Sequence, residues 1–352
     1  MATTDYGVNH PLAVKAWSRK LIREALKQTY ASKFMSEGSN NVIQIKNELK
    51  KGAGDRVTCG LRMQLTGAGI QADGQLEGNE EALTTYSDNI FIDQLRHAVR
   101  TAGKMSEQRV PFSVREEARA GLTDWWADRI DTWFMNQIAG NTGQADTRYT
   151  GNQATIAPST TSGNTRHLFS DGTHTTEASL STTDVMQLSF IDRAVTTAKT
   201  ATPLIRPIKI DGGEFYVMFM HPFQVHALRT DATAARITWY DAQKARVQGG
   251  EMDKNGIFSG ALGVYNGVIL HESVRMPSVT ANVRRAVLCG AQAAIMALGQ
   301  GENPDSPNWY EELFDYGNQF GVAGGMIAGL KKAVFNSIDF GTVVVSTRAV
   351  AP

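Results

Sequence analysis

Phe314-Asp315-Tyr316-Gly317-Asn318-Gln319 runs on into Phe320-Gly-Val-Ala-Gly-Gly-Met-Ile-Ala-Gly-Leu-Lys-Lys-Ala-Val-Phe-Asn-Ser-Ile-Asp-Phe-Gly341. The run is rich in glycine and aromatic residues and holds no His or Cys. Glycine removes the Cβ clash and tolerates positive φ, so the stretch suits backbones that approach closely. Rings beside the glycines add large contact areas. Such material is poor for catalysis. The segment reads as packing structure, a connection between larger units.

The whole chain agrees with that reading. Its 352 residues imply about two domains at roughly 150 residues each, or one elaborated domain. A chain this long buries roughly three quarters of its unfolded surface. Hydrophobic residues make up 42% and charged residues 20%, which excludes wholesale disorder. The formal net charge is +0, whereas a protein that grips nucleic acid through phosphate neutralisation carries a basic excess. Contact with nucleic acid is therefore expected to be local and weak. A neutral chain also feels little repulsion between copies, which permits dense self-association. Cys59 and Cys289 are the only cysteines and form no metal spacing. A reduced intracellular chain is the simpler expectation, with a disulfide between them left open. The start lacks a signal-peptide pattern, and no apolar run approaches the roughly 20 residues of a membrane helix. A soluble chain made in the cytoplasm, without a membrane partner, is expected.

Along the chain, 10–36 reads as a helix with Pro11 near its first turn. Ala13, Trp17, Leu21, Ala25 and Leu26 form its apolar stripe, and Lys15, Arg19, Lys20, Arg23 and Lys27 its basic remainder. The basic face is either simply solvated or lies on a neighbouring subunit or packaged DNA. Val42–Ile45, Val57–Cys59, Leu61–Leu65 and Asn89–Asp93 read as strands, with a polar, Gly-rich tip over 66–79. That tip is either a surface loop or the end of a long hairpin that needs another surface for support. Ser113-Val-Arg-Glu116 is a capping box, and Gly140 is placed to end the helix it opens. Val114, Ala118, Leu122, Trp125, Trp126, Ile130, Trp133, Phe134 and Ile138 give that helix an apolar face, its Trp cluster reading as core. At 1.5 Å per residue, 113–139 spans roughly 40 Å.

Residues 141–180 are dense in Thr, Ser, Asn and Gly and read as an exposed insertion, with His167 and His174 as solvated loop histidines. From 182 to 301, helical and strand patterns mix. Residues 185–198 and 236–247 read as helices, and Phe215–Met220 as a buried strand ended by His221-Pro222. Asn266-Gly267 signals a type I′ hairpin, and Ala286–Met296 a buried element. Thr342–Ser346 reads as a closing strand that returns to an earlier one. The fold class is α+β.

No catalytic constellation appears. His221 and His226 are five apart with no Glu between them, unlike a metalloprotease helix. A metal-dependent enzyme using them is the weaker alternative. Gly260-Ala-Leu-Gly263-Val-Tyr-Asn-Gly267 lacks the Gly-Lys-Ser/Thr ending of a phosphate loop. Phe258-Ser259-Gly260 lacks the first Gly of a nucleophile elbow. Glu116-Glu117 and Glu311-Glu312 are adjacent, so their carboxylates diverge. No catalytic, cofactor or metal residue is assigned.

Four stretches carry a resemblance. They are Phe215-Tyr-Val-Met-Phe-Met-His-Pro-Phe223, Gly260-Ala-Leu-Gly-Val-Tyr-Asn-Gly-Val-Ile-Leu-His-Glu272, Arg284-Arg-Ala-Val-Leu-Cys-Gly-Ala-Gln-Ala-Ala294, and Asp315-Tyr-Gly-Asn-Gln319 with Gly341 beyond it. Their order and co-occurrence resemble the major capsid proteins of N4-like tailed phages. The resemblance implies the HK97-type capsid fold. It places an N-terminal arm at 1–45 and an extended loop at 46–92. A peripheral domain would comprise 93–180 and 306–352, with a spine helix at 113–139 and the insertion 141–180. An axial domain would be 181–305, with the final strand returning to the peripheral domain. The implied function is self-assembly as hexamers and pentamers into an icosahedral phage head around double-stranded DNA. The implied partners are copies of itself, a portal at one vertex, an optional decoration protein and weakly held DNA. With no room for an internal scaffold before the first helix, a separate scaffolding protein is expected. The implied location is the virion, assembled in the host cytoplasm. An encapsulin-like compartment shell is the alternative on the same fold. No covalent Lys–Asn cross-link is expected.

Overall fold

Two sheets and one long helix organise the chain. The computed structural model describes residues 29–48, 54–63, 65–111, 113–161, 164–170, 172–210, 212–230, 261–280, 282–299 and 308–351. The apolar stripe of 13–26 and the expected helix at 236–247 lie outside these residues. The first third supplies β1 (Met35–Ser36), β2 (Ile43–Lys46), β3 (Arg56–Arg62), β4 (Thr85–Phe91), β5 (Asp93–Arg100), α1 (Lys104–Gln108) and α2 (Val114–Ala139). The middle supplies α3 (Thr147–Thr150), β6 (His167–Phe169), α4 (Leu188–Thr200), β7 (Ile208–Ile210), β8 (Gly213–Met220) and α5 (Pro222–Thr230). Then come β9 (Ala261–Tyr265), β10 (Val268–Glu272), β11 (Ser278–Thr280), β12 (Val283–Cys289) and β13 (Ala294–Leu298). The last stretch supplies β14 (Asn308–Phe314), β15 (Gln319–Lys332), β16 (Val334–Phe335), β17 (Ile338–Asp339) and β18 (Thr342–Arg348).

The six-stranded sheet runs β1-β2-β13-β15-β14, with β5 also paired to β15. The eight-stranded sheet runs β6-β18-β12-β8-β10-β9, with β7 on β8 and β11 on β12. Its strands are apolar on both faces because both are covered. Val217, Phe219, Ile269, Val287 and Val344 face the core shared with α2. Met218, Met220, Leu270, Leu288 and Val345 face α4 and α5. This period-two division explains the unbroken apolar run of β8.

The sequence reading of α2 holds. The Ser113 side chain accepts from the Glu116 N–H, and Gly140 ends the helix at φ 61°. A Cβ at Gly140 would stand 2.5 Å from the Ile156 carbonyl oxygen, so the position excludes side chains sterically as well. The first half of α2 lies on the six-stranded sheet through Leu122, Trp126 and Ile130 against Val322, Leu95 and Met326. Its second half, Trp133, Phe134, Met135 and Ile138, enters the core between the two sheets. The helix thus joins them.

Several expectations are corrected. Residues 30–36 are a 3₁₀ turn followed by β1, because Asp131 of α2 captures the N–H groups of Tyr30 (3.0 Å) and Ala31 (2.8 Å). Strand β3 runs straight through Gly60, which does not break it. The stretch 286–296 is two strands in different sheets, divided at Gly290, where a Cβ would lie 2.5 Å from the Arg206 carbonyl oxygen. The closing strand β18 does return to earlier strands, pairing with β12 and β6 of the eight-stranded sheet. Phe314–Gln319 is the turn of the β14–β15 hairpin, with positive φ at Asp315, Tyr316 and Gly317. The Asn266-Gly267 hairpin forms as expected, at φ 46° and 74°.

The glycines of β15 do serve close packing, above all Gly329, where a Cβ would meet the Phe91 carbonyl oxygen at 2.0 Å. At Gly60 a Cβ would meet nothing within 4 Å. Gly329→Ala is expected to cost about 1–3 kcal/mol of subunit stability through overpacking. Gly60→Ala is expected to be neutral or stabilising by up to about 1 kcal/mol. Urea midpoints of the unassembled subunit check both.

Candidate assembly surface

Strands β3 and β4 form a hairpin paired from Arg56↔Phe91 to Arg62↔Thr85. Its root is fixed. Val57 and Ile90 pack against Ile295, Ala297, Ala333 and Phe335. The buried Asp88 carboxylate pairs with the Lys331 ammonium and accepts the Val334 N–H at 3.1 Å. The Arg56 guanidinium lies 4.2 Å from the Phe91 ring centroid.

Beyond Arg62 the hairpin loses its support. Leu65, Ile70, Leu76 and Leu83 are 41–63% exposed, whereas most large apolar side chains among the described residues are buried or partly buried. Glu81 clips the two sides of the tip together by accepting the N–H groups of Thr66 (2.8 Å) and Gly67 (2.7 Å). These bonds hold the Glu81 carboxyl below its usual pKa. Asp73, Glu77, Glu80 and Glu81 make the tip acidic, and no Lys or Arg occurs between Arg62 and Arg96. An extended, acidic, apolar-studded hairpin cannot bury its own surface.

The stretch 141–180 is not the exposed insertion that its composition suggests. Arg166, His167, Phe169 and Ser170 are buried, and β6 is a strand of the eight-stranded sheet. His167 is no solvated loop histidine. Its Nε2 lies 2.7 Å from the Ser346 hydroxyl, which donates to Glu177 at 2.8 Å. Arg285 Nε donates to the same Glu177 oxygen at 2.6 Å, and its Nη1 donates to the carbonyls of Ala139 (2.9 Å) and Gly140 (2.6 Å). One cluster thus ties the end of α2, the 141–180 stretch, β12 and β18 together. Burial alone would raise the Glu177 pKa. The hydrogen bonds from His167, Arg285 and Ser346, with the Arg285 charge, outweigh it and bring the value down to about 2. His174 lies 3.8 Å from Asp184. Composition hid this packing because the groups that drive it are polar and paired across 100 residues or more.

The residues tested for chemistry do not converge. His221 is buried at the start of α5, where its Nδ1 accepts the Phe223 N–H at 3.2 Å. Burial, helped by Arg284, lowers its pKa to about 4. His226 is exposed one and a half turns further on. No group of three His, Cys, Asp or Glu among the described residues could hold a metal ion. Cys59 and Cys289 are both free thiols, and burial raises the pKa of each.

Comparison with known proteins is consistent along the whole length. The phage capsid protein family matches residues 5–351. The major capsid protein of Pseudomonas phage KPP25 is 28% identical, over 95% of this chain and 94% of its own. The capsid of Ralstonia phage GP4 superposes with a TM-score of 0.79 at 33% identity, covering 100% of this chain and 99% of its own. The capsid subunit of cyanophage Pam1 shares the fold at TM-score 0.73 and 20% identity, covering 93% and 94%.

The Glu177 cluster sets an acid limit. A carboxyl depressed from about 4.3 when unfolded to about 2 when folded stabilises fully above the higher value. That contribution, on the order of 3 kcal/mol, is lost as pH falls through the lower one. Glu177→Gln should destabilise the subunit at pH 7 and flatten its stability profile between pH 4 and 2, read by denaturant melts. A variant that keeps the wild-type slope would remove Glu177 from this role.

Proposed function

The chain belongs to the phage capsid protein family, and from that premise we propose how its surfaces build a shell. It is a major capsid protein with the HK97-type fold, a structural component of the virion and not an enzyme. In our reading the six-stranded sheet with α2 is the peripheral domain, and α2 its spine helix. The eight-stranded sheet with α4 and α5 is the axial domain, whose tips meet at the five- and six-fold centres. This division reassigns β18 and β6 to the axial side and β13 to the peripheral side, following strand pairing. The extended loop is the β3–β4 hairpin, while β1 and β2 of the expected 1–45 arm belong to the six-stranded sheet and residues 1–28 lie outside the described residues.

One observation carries the proposal: a hairpin rooted by buried contacts whose outer part has exposed apolar side chains and no core. Such a hairpin is completed by a neighbouring copy. Heterologous contacts of this kind close rings, and hexamers and pentamers close an icosahedral head. Stability comes from area buried against several neighbours at once. A separate scaffolding protein, a portal at one vertex, a decoration protein and double-stranded DNA are the remaining partners in this reading, with assembly in the host cytoplasm. The net charge of +0 fits a wall that contains DNA without gripping it.

Deletion of residues 66–79 tests the bridging role. The subunit should remain folded, because the root contacts lie outside the deletion, yet shells should fail to close in electron micrographs. Normal shells from the deleted chain would refute the role.

A further inference from the structure

The turn between β9 and β10 is made by Asn266 and Gly267, at the edge of the eight-stranded sheet. Both residues stand in the left-handed region, at φ 46° and 74°, as a type I′ turn requires. Asn266 is exposed to solvent. Its sequence is also chemically vulnerable. Glycine has no side chain to shield its amide nitrogen, so the carboxamide of a preceding asparagine can close onto that nitrogen and lose ammonia.

Helix α4 stands against this. Asp192, half-buried in its second turn, commits both carboxylate oxygens to the β9–β10 turn. Oδ1 accepts from the Asn266 Nδ2 at 2.9 Å, and Oδ2 accepts from the Tyr265 hydroxyl at 2.8 Å. The carboxylate is itself well fixed, because Ile191 and Val195 of α4 are buried in the core against which Tyr265 packs. Burial, with the bond to Asp192, pushes the Tyr265 pKa up to about 12, so its hydroxyl remains a donor at neutral pH. The Asn266 carboxamide is thus held toward α4. To close onto the Gly267 nitrogen, it must first give up that bond.

We propose that Asn266 is a latent deamidation site and that Asp192 restrains it by holding its carboxamide. In the restrained step the Gly267 nitrogen attacks Asn266 Cγ and gives its proton to solvent. The N–Cγ bond forms, the Cγ–Nδ2 bond breaks, and Nδ2 takes a proton from solvent and leaves as ammonia. Water then opens the succinimide ring at either carbonyl, leaving aspartate or isoaspartate at position 266. The product puts a second carboxylate where Asp192 had a donor. Like charges so close repel, and the turn is driven off α4.

Peptide mass spectrometry of the segment 261–272 follows the reaction in folded subunits kept in mildly alkaline buffer. Asp192→Ala should deamidate about tenfold faster than the wild type, which corresponds to about 1.4 kcal/mol. Asp192→Asn keeps an acceptor oxygen without the charge and should stay near the wild-type rate. Wild-type rates in Asp192→Ala would overturn the proposal, as would equal acceleration in Asp192→Asn, which would assign the effect to charge. Should Asp192→Ala fail to fold, the wild-type chain in urea gives the unrestrained rate, and equal rates in folded and unfolded chains would overturn the proposal as well. Asn266→Asp mimics the product. It should lower the urea midpoint, and adding Asp192→Asn should restore it; an unchanged midpoint would refute the repulsion.

Discussion

At Gly329 the backbone of β15 comes so near Phe91 that a Cβ would stand 2.0 Å from its carbonyl oxygen. Gly325 against Arg96 and Gly321 against Phe314 repeat the approach along the strand. Backbone hydrogen bonds hold β5 and β14 beside β15 and α2 lies across the resulting sheet, while the bare position at Gly329 lets the chain at Phe91 cross β15 closely. The same strand holds the root of the hairpin through Lys331 and the buried Asp88. A side chain at Gly329 would push the Phe91 end of the hairpin off β15.

Buried charge does a different job. Lys332 is wholly buried, 2.8 Å from the equally buried Asp339, and its ammonium also donates to the Ile156 carbonyl at 3.0 Å. Ser159 donates its N–H to the same Asp339 at 3.2 Å. With the Glu177 cluster, these pairs replace the apolar residues that 141–180 lacks. Ion pairs of this kind add little net stability over an apolar equivalent, but breaking one leaves an uncompensated charge. They specify where a polar segment sits.

Features encoded locally were legible in the sequence. The Ser113 cap, the Gly140 stop, the Asn266-Gly267 turn and the apolar run of β8 each announce themselves within a few residues. What could not be read depends on partners far away. Asp131 turns the chain at Tyr30 into a 3₁₀ turn from a hundred residues off. Arg285 and Ser346 draw a Thr- and Ser-rich stretch into a sheet. Strand β18 pairs with β12 of the eight-stranded sheet in a register that no local pattern reports. At the candidate surface, sequence alone identified a hairpin without support. The contacts that root it, Val57 and Ile90 on Ile295 and Phe335, span more than 200 residues and leave no local signal.

The position of β18 has a consequence for timing. It lies between β6 and β12, so the strands from the two sides of the sheet have no common neighbour until residues 342–348 arrive. Val344 pairs with His167, a loop closure of well over a hundred residues. Contacts of such long range form slowly, since chain entropy must be overcome before they stabilise anything. During synthesis, therefore, β6 meets its partner strand only once residues 342–348 are made. The root of the β3–β4 hairpin waits as well, since Val57 and Ile90 pack on residues between 295 and 335, so both ends of the chain are fixed by its last stretch.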